Sequence, residues 1–81
     1  MALLIEVADA SLRYDRHIKG PLYAEAGVRD YWIVDVVGDA IEVYREPSAG
    51  RFRHTERIGR GGTLTPLAFP DMPLAAADLL G

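Results

Sequence analysis

Leu3 to Tyr23 reads LLIEVADASLRYDRHIKGPLY, and this stretch decides the fold. Leu3-Leu4-Ile5-Glu6-Val7 is a short apolar run without polar alternation, which predicts a strand buried on both faces of a sheet. Such a strand wants neighbours on both edges, and this one begins almost at Met1, so the sequence looks as though a segment that should precede it is missing. Ala8 to Leu12 is a connection, where Asp9 or Ser11 can cap the next helix by accepting from its free N–H groups. That helix is predicted from about Tyr14 to Ala26, interrupted at Gly20-Pro21. Proline removes a backbone donor and crowds the carbonyl four residues back, so a kink or two half-helices is expected. Gly27 is a good stop.

Outward from that unit, Tyr31-Trp32-Ile33-Val34-Asp35 is aromatic and β-branched and predicts a second strand. Strand, helix and strand predict a right-handed parallel crossover. Gly38-Asp39 is a turn, and Ala40 to Arg45 alternates as a half-exposed antiparallel strand. Glu46 to Gly50 predicts a hairpin loop. In the next strand, Phe52, His54, Glu56 and Ile58 share one parity and the arginines and Thr55 the other, a mixed pattern suited to an edge. After the turn at Gly59 to Gly62, Thr63 to Leu67 predicts a short strand and Phe69 to Pro73 an extended connector. Pro73 to Leu80 predicts a short closing helix that docks Leu74, Leu79 and Leu80 on the sheet. The fold class is therefore α/β (α+β): a strand-helix-strand crossover and then antiparallel strands in one mixed sheet.

The chain has 81 residues, enough for one domain spanning 1–81. A single core of this size seldom supplies more than roughly 3–5 kcal/mol of net stability. With 49% apolar and 26% charged residues the composition is that of an ordinary globular protein. There is no cysteine, hence no disulfide framework and no thiolate metal site. The N-terminal MALLIEV has no basic flank and is no signal peptide, and no apolar run is long enough to span a membrane. A cytoplasmic protein is expected. The net charge of −3 argues against a surface that is one broad nucleic-acid footprint. Arg51, Arg53, Arg57 and Arg60 do cluster, which reads either as a solvated strand face or as a small nucleic-acid contact.

Three side chains carry the chemical interest. Glu6 lies inside an apolar run, where a carboxylate is costly unless paired, hydrogen-bonded or bound to metal. It is either a metal ligand or general base, or a strand-end residue facing water. Asp15 and Lys19, the chain's only lysine, are four apart and share one helix face. They form either an ordinary surface pair, or a pair in which Lys19 reaches over the strand toward Glu6. Tyr23, one turn on, reads as core packing. His17 and His54 lack a second ligand at zinc spacing, Ser11 lacks a histidine base, and Gly59, Gly61 and Gly62 lack the phosphate-loop pattern.

LLIEVADASLRYD, then K-x-P-L-Y-A-E-A-G-V, then D-Y-W-I-V-D resembles the Uma-two family of restriction-endonuclease-like proteins, within the PD-(D/E)XK nuclease superfamily. I-E-V-Y-R-E-P and L-T-P-L-A-F-P-D resemble that family's tail, so the likeness covers nearly the whole chain. The resemblance implies a partial restriction-endonuclease-like fold and a phosphodiesterase site dependent on Mg²⁺ (or Mn²⁺). Glu6 matches the family's acidic metal ligand on the central strand. The lysine usually found two residues later is Ala8 here, and the resemblance moves that role to Lys19, with Asp15 and Tyr23 auxiliary. The family carries a longer N-terminal half with a second metal-binding aspartate, often after a proline, where this chain reads Met1-Ala2. The chain thus resembles the C-terminal half of a nuclease domain with impaired catalysis. The competing expectations are a non-catalytic module that forms a homodimer through the Leu3–Val7 strand, and a nucleic-acid binder using Arg51 and Arg53.

Overall fold

A computed structural model describes residues 3–81; Met1 and Ala2, where the family pattern carries Pro-Asp, lie outside the described residues. Strands β1 (Leu4–Ala8), β2 (Asp30–Asp35), β3 (Ala40–Ser48) and β4 (Arg51–Gly59) form one sheet in the order β1-β2-β3-β4. β1 pairs parallel with β2, and the remaining pairs are antiparallel. A helical run crosses one face: α1 (Leu12–Tyr14), a π-helical turn (Asp15–Lys19) and α2 (Gly20–Glu25). On the other face β5 (Thr63–Leu64) and β6 (Leu74–Ala75) pair as a small second sheet ahead of α3 (Ala76–Leu80). This is the mixed α+β architecture that the sequence predicts, consistent with a restriction-endonuclease-like fold.

β2 is the strand buried on both faces, with all six residues inside. Trp32 and Val34 join Ile41, Val43, Leu64 and Ala76 in one core, and Leu74, Leu79 and Leu80 dock there as expected. Tyr31 and Ile33 join Ala8 and Val28 beneath the helical run, with Leu12, Tyr23, Tyr44 and Phe52 around them. The expectation that β1 is buried on both faces is corrected. β1 is a sheet edge, and Ile5 and Val7 stand 40% and 67% exposed, because the β5–β6–α3 layer on their face packs over the Trp32 core and leaves these two side chains open.

Of the two expectations at Gly20-Pro21, the structure matches the one with Pro21 in the first turn of a second helical segment, α2, which follows the π turn. The Gly20 N–H reaches back five residues to the Asp15 carbonyl, and Pro21 falls in the first turn of α2, where its missing N–H costs nothing. The widened turn accommodates the proline. The end is as expected. Gly27 takes φ +81, its N–H reaches the Ala24 carbonyl and that of Val28 reaches Tyr23, which is the Schellman closure. Ser11 precedes α1 but does not cap it; its hydroxyl donates to the Asp15 carboxylate instead.

The predicted Glu46–Gly50 loop shrinks to two residues, since β3 runs on to Ser48. Ala49 and Gly50 take φ +52 and +77, the positive pair that a two-residue hairpin turn of the primed type demands. Alanine is a poor occupant of left-handed backbone. Ala49→Asn is expected to add on the order of 1 kcal/mol, seen as a rise of about 4 °C or more in the melting temperature. Glu46 also has a positive φ, and the ladder carries no Glu46–Arg53 pair. Beyond that twist Phe52 packs beneath the helical run, whereas Ile58 of the same parity packs against the Trp32 core. The single-faced pattern expected for β4 is thereby split, although β4 is the edge strand that the sequence predicts.

Candidate functional site

The β1–helix–β2 unit brings Glu6, Asp15, Lys19 and Tyr31 to one place. Register sets Glu6 opposite Ile33, so its side chain shares the helix-covered face with Tyr31 and Ala8. Lys19, at the end of the π turn, reaches down to it: Nζ lies 2.8 Å from Glu6 Oε2 and 3.5 Å from Asp15 Oδ1. The Tyr31 hydroxyl donates to Glu6 Oε1 at 3.1 Å. The Tyr14 ring flanks the ammonium at 5.9 Å. Of the alternatives open in the sequence, a water-facing Glu6 and a plain Asp15–Lys19 surface pair both fall. Asp15 is 2% exposed, and Lys19 bonds Glu6 more closely than Asp15.

The charges reflect the geometry. Burial pushes the Glu6 carboxyl up, but the hydrogen bonds from Lys19 and Tyr31 outweigh it and hold the group below the usual carboxylate range. The same bond to Glu6 raises Lys19. Burial, then Glu6, drive the Tyr31 hydroxyl far up. Tyr23 is raised by burial and by the neighbouring carboxylate, and its ring packs edge-on against Tyr31 at 5.0 Å. At neutral pH the cluster holds a carboxylate, an ammonium and neutral phenols.

A second cluster fastens the π turn to the sheet. Arg16 makes a two-pronged pair with Glu42 of β3, 2.8 Å at Nε, and Arg57 Nη1 and the Tyr44 hydroxyl reach the same carboxylate at 2.7 and 2.5 Å. Burial raises Glu42, yet the bonds from Arg16 and Tyr44 hold it below the ordinary range. Arg57 also pairs with Asp35 at 3.0 Å. Arg16 thus ties the turn to β3 while Lys19, three residues on, points at β1. The π turn spans the sheet with both ends anchored, which fixes where the ammonium stands.

Sequence reading missed Tyr31, Arg16, Glu42 and Tyr44. The alternation of β3 assigns Glu42 to a solvent face, but that face lies under the helical run and Glu42 is 5% exposed. Its one readable signal is a glutamate on the parity of Tyr44 in an aromatic strand. Arg51 and Arg53 are not brought to Glu6: they sit on β4, the sheet edge opposite β1. Arg57 and Arg60 are committed to ion pairs, Arg60 with Asp39 at 2.6 Å, so the expected four-arginine cluster divides.

The donor set tests the implied magnesium. Among the described residues no group of three or more His, Cys, Asp or Glu gathers as a metal cage. Glu6 and Asp15 face each other across the Lys19 ammonium, which stands where a cation shared by the two would stand. The described residues alone therefore do not fit a complete magnesium site. Also among the described residues, no helix is long and apolar enough to cross a membrane.

No curated protein and no solved structure matches the chain. A family model does match: Uma2, with the description “Putative restriction endonuclease”, over residues 1–77. With residues 1–77 of the 81 matched, the chain belongs to the Uma2 family of restriction-endonuclease-like proteins.

Proposed function

We propose that this chain is an endonuclease component that carries the Glu6–Lys19 part of a metal-dependent site for phosphodiester hydrolysis. The observation behind the proposal is the 2.8 Å Glu6–Lys19 contact between β1 and the π turn in a chain of this family. In such a reaction the oxygen of water bonds to phosphorus, the ester P–O bond breaks, and the proton released by water ends on the leaving oxygen. Lys19 lends a fixed positive charge to the phosphate as negative charge builds on it, and orients the water. Asp15 and Tyr31 hold Lys19 and Glu6 in place, and Tyr23 supports Tyr31. Glu6, kept ionised, would hold Mg²⁺ (or Mn²⁺) together with a second carboxylate from beyond this set, and the cation would supply polarisation of the phosphate and a more acidic water. Arg51 and Arg53 are auxiliary contacts for a nucleic-acid backbone, and a cytoplasmic setting fits a chain without cysteine.

Calorimetric Mn²⁺ titration, run beside nicking of plasmid DNA and cleavage of a labelled RNA, tests this. Saturable binding and metal-dependent cleavage are expected, both lost in Glu6→Gln. A folded protein that binds no Mn²⁺ and cuts neither substrate would favour the second reading, a non-catalytic dimerising module. The exposed edge of β1 speaks for that module.

A further inference from the structure

Sheet register sets two carboxylates in one cross-strand row. Glu6 of β1 lies opposite Ile33 of β2, and Ile33 lies opposite Glu42 of β3. Partners across a ladder share a face, so all three side chains project toward the helical run, with the two carboxylate-bearing strands about 9–10 Å apart. Each carboxylate accepts from a tyrosine hydroxyl, Glu6 from Tyr31 and Glu42 from Tyr44, and each meets one cation of the π turn, Lys19 or Arg16. The two ends are held unequally. Glu42 also takes Arg57 and its side chain is 7% exposed, whereas that of Glu6 is 21% exposed.

Spacing within the turn decides which cation reaches which strand. The buried positions through the π turn and α2 are Asp15, Gly20 and Ala24, a step of five residues and then one of four. An α-helical turn after Asp15 would bring Lys19, not Gly20, round to the sheet-facing side. In the five-residue turn Arg16 follows one sheet-facing residue and Lys19 precedes the next. The two side chains therefore leave on opposite flanks, Arg16 over β3 and Lys19 over β1. Pro21 has no N–H to give the His17 carbonyl in an α turn or the Arg16 carbonyl in a π turn, so its missing hydrogen bond does not choose between them. π turns are rare when left to local preference. A two-pronged, charge-assisted pair with a buried carboxylate is strong enough to select one. We propose that Arg16 is a positioning residue: its pair with Glu42 selects the five-residue turn and so sets the Lys19 ammonium on Glu6. The placement itself does not rest on the nuclease reading, whereas its effect on a cleavage rate does.

Lys19 is the chain's only lysine, so its ammonium reports alone. With nitrogen-15 at lysine Nζ the protein gives one side-chain ammonium signal, and Glu6→Gln marks where that signal falls once the carboxylate is gone. Arg16→Ala is expected to keep the circular dichroism of the wild type, since Glu42 retains Arg57 and Tyr44. It is expected to move the lysine signal most of the way to the Glu6→Gln position, whereas Arg13→Ala, on α1 of the same run, leaves it in place. Acetic anhydride is expected to acylate Lys19 several-fold faster in Arg16→Ala than in the wild type, measured against the N-terminal amine, because the carboxylate no longer ties up the side chain. Should Arg16→Ala fail to fold, Arg16→Met, which keeps the stem without the donors, takes its place. An unmoved lysine signal or an unchanged acylation rate in a folded variant overturns the proposal, and so does loss of folding in both variants, which would make Arg16 structural. Plasmid nicking is the arm that rests on the nuclease reading: a lysine displaced by about 1 Å is expected to lower the rate by up to about 100-fold. A wild type that cuts nothing sinks that reading and leaves the lysine signal and its acylation to decide the role of Arg16.

Discussion

Lys19→Ala is expected to lower phosphodiester cleavage about 100-fold or more, the usual loss on removing a group that stabilises developing charge. The same change should invert the titration of Glu6. In the wild type, burial raises the carboxyl while Lys19 and Tyr31 together lower it further. The folded pKa lies below the unfolded value, so the stabilisation from Glu6 is complete above pH 4.5 and fades as pH falls through the folded pKa. Without the ammonium, burial loses its main opponent. The folded pKa then rises, and keeping Glu6 charged at neutral pH costs stability. Carbon-13 carboxyl titration of both proteins checks the sign, and plasmid nicking at fixed Mg²⁺ checks the rate. Lys19→Arg keeps a charge near Glu6 and should preserve the low titration while misplacing the donor, so it separates charge from position. A Glu6 that titrates identically in wild type and Lys19→Ala would remove the electrostatic basis for the site.

Asp30→Ala is expected to unfold the domain at 37 °C. Asp30 is 0% exposed and gathers four donors: the Trp32 indole at 2.7 Å, Arg45 Nε at 2.9 Å and Nη2 at 3.4 Å, and the Leu67 N–H at 3.0 Å. Truncation leaves the indole and the Leu67 amide without acceptors. Arg45 keeps only its bond to the Thr65 carbonyl, at 2.6 Å. Breaking one side of a buried, hydrogen-bonded ion pair costs about 3–5 kcal/mol, which matches the roughly 3–5 kcal/mol that a core of this size supplies. Far-UV circular dichroism against temperature and urea gives the answer. Arg60→Ala serves as the contrast. Its pair with Asp39 is half exposed on both sides, and its loss should leave the melting temperature nearly unchanged.

Asp30 also marks the limit of what is legible in the chain. Periodicity finds the strands because each strand's own residues decide whether a pleated, apolar-faced segment can form. Tyr31 to Asp35, Ala40 to Arg45 and the Gly27 stop are local facts, and the structure agrees with them. The two-residue turn at Ala49-Gly50 was hidden because alanine is not a residue that positive φ selects. Tertiary register imposes that conformation, not local preference.

The sequence by itself determined the strand-helix-strand order, the antiparallel strands after it, the docking of Leu74, Leu79 and Leu80, and the oddity of a carboxylate in an apolar run. Those features depend on spacing and side-chain type within a few residues. Only the tertiary structure decided that β2, not β1, is buried on both faces, because burial depends on what lies across the sheet. It also decided that Lys19 bonds Glu6, and that Arg16 and Arg57 converge on Glu42. Side chains 13 to 26 residues apart meet there through the π turn and the sheet register. A charge that looks solvated in one dimension becomes a buried, neutralised member of the site once the helical run is laid across the strands.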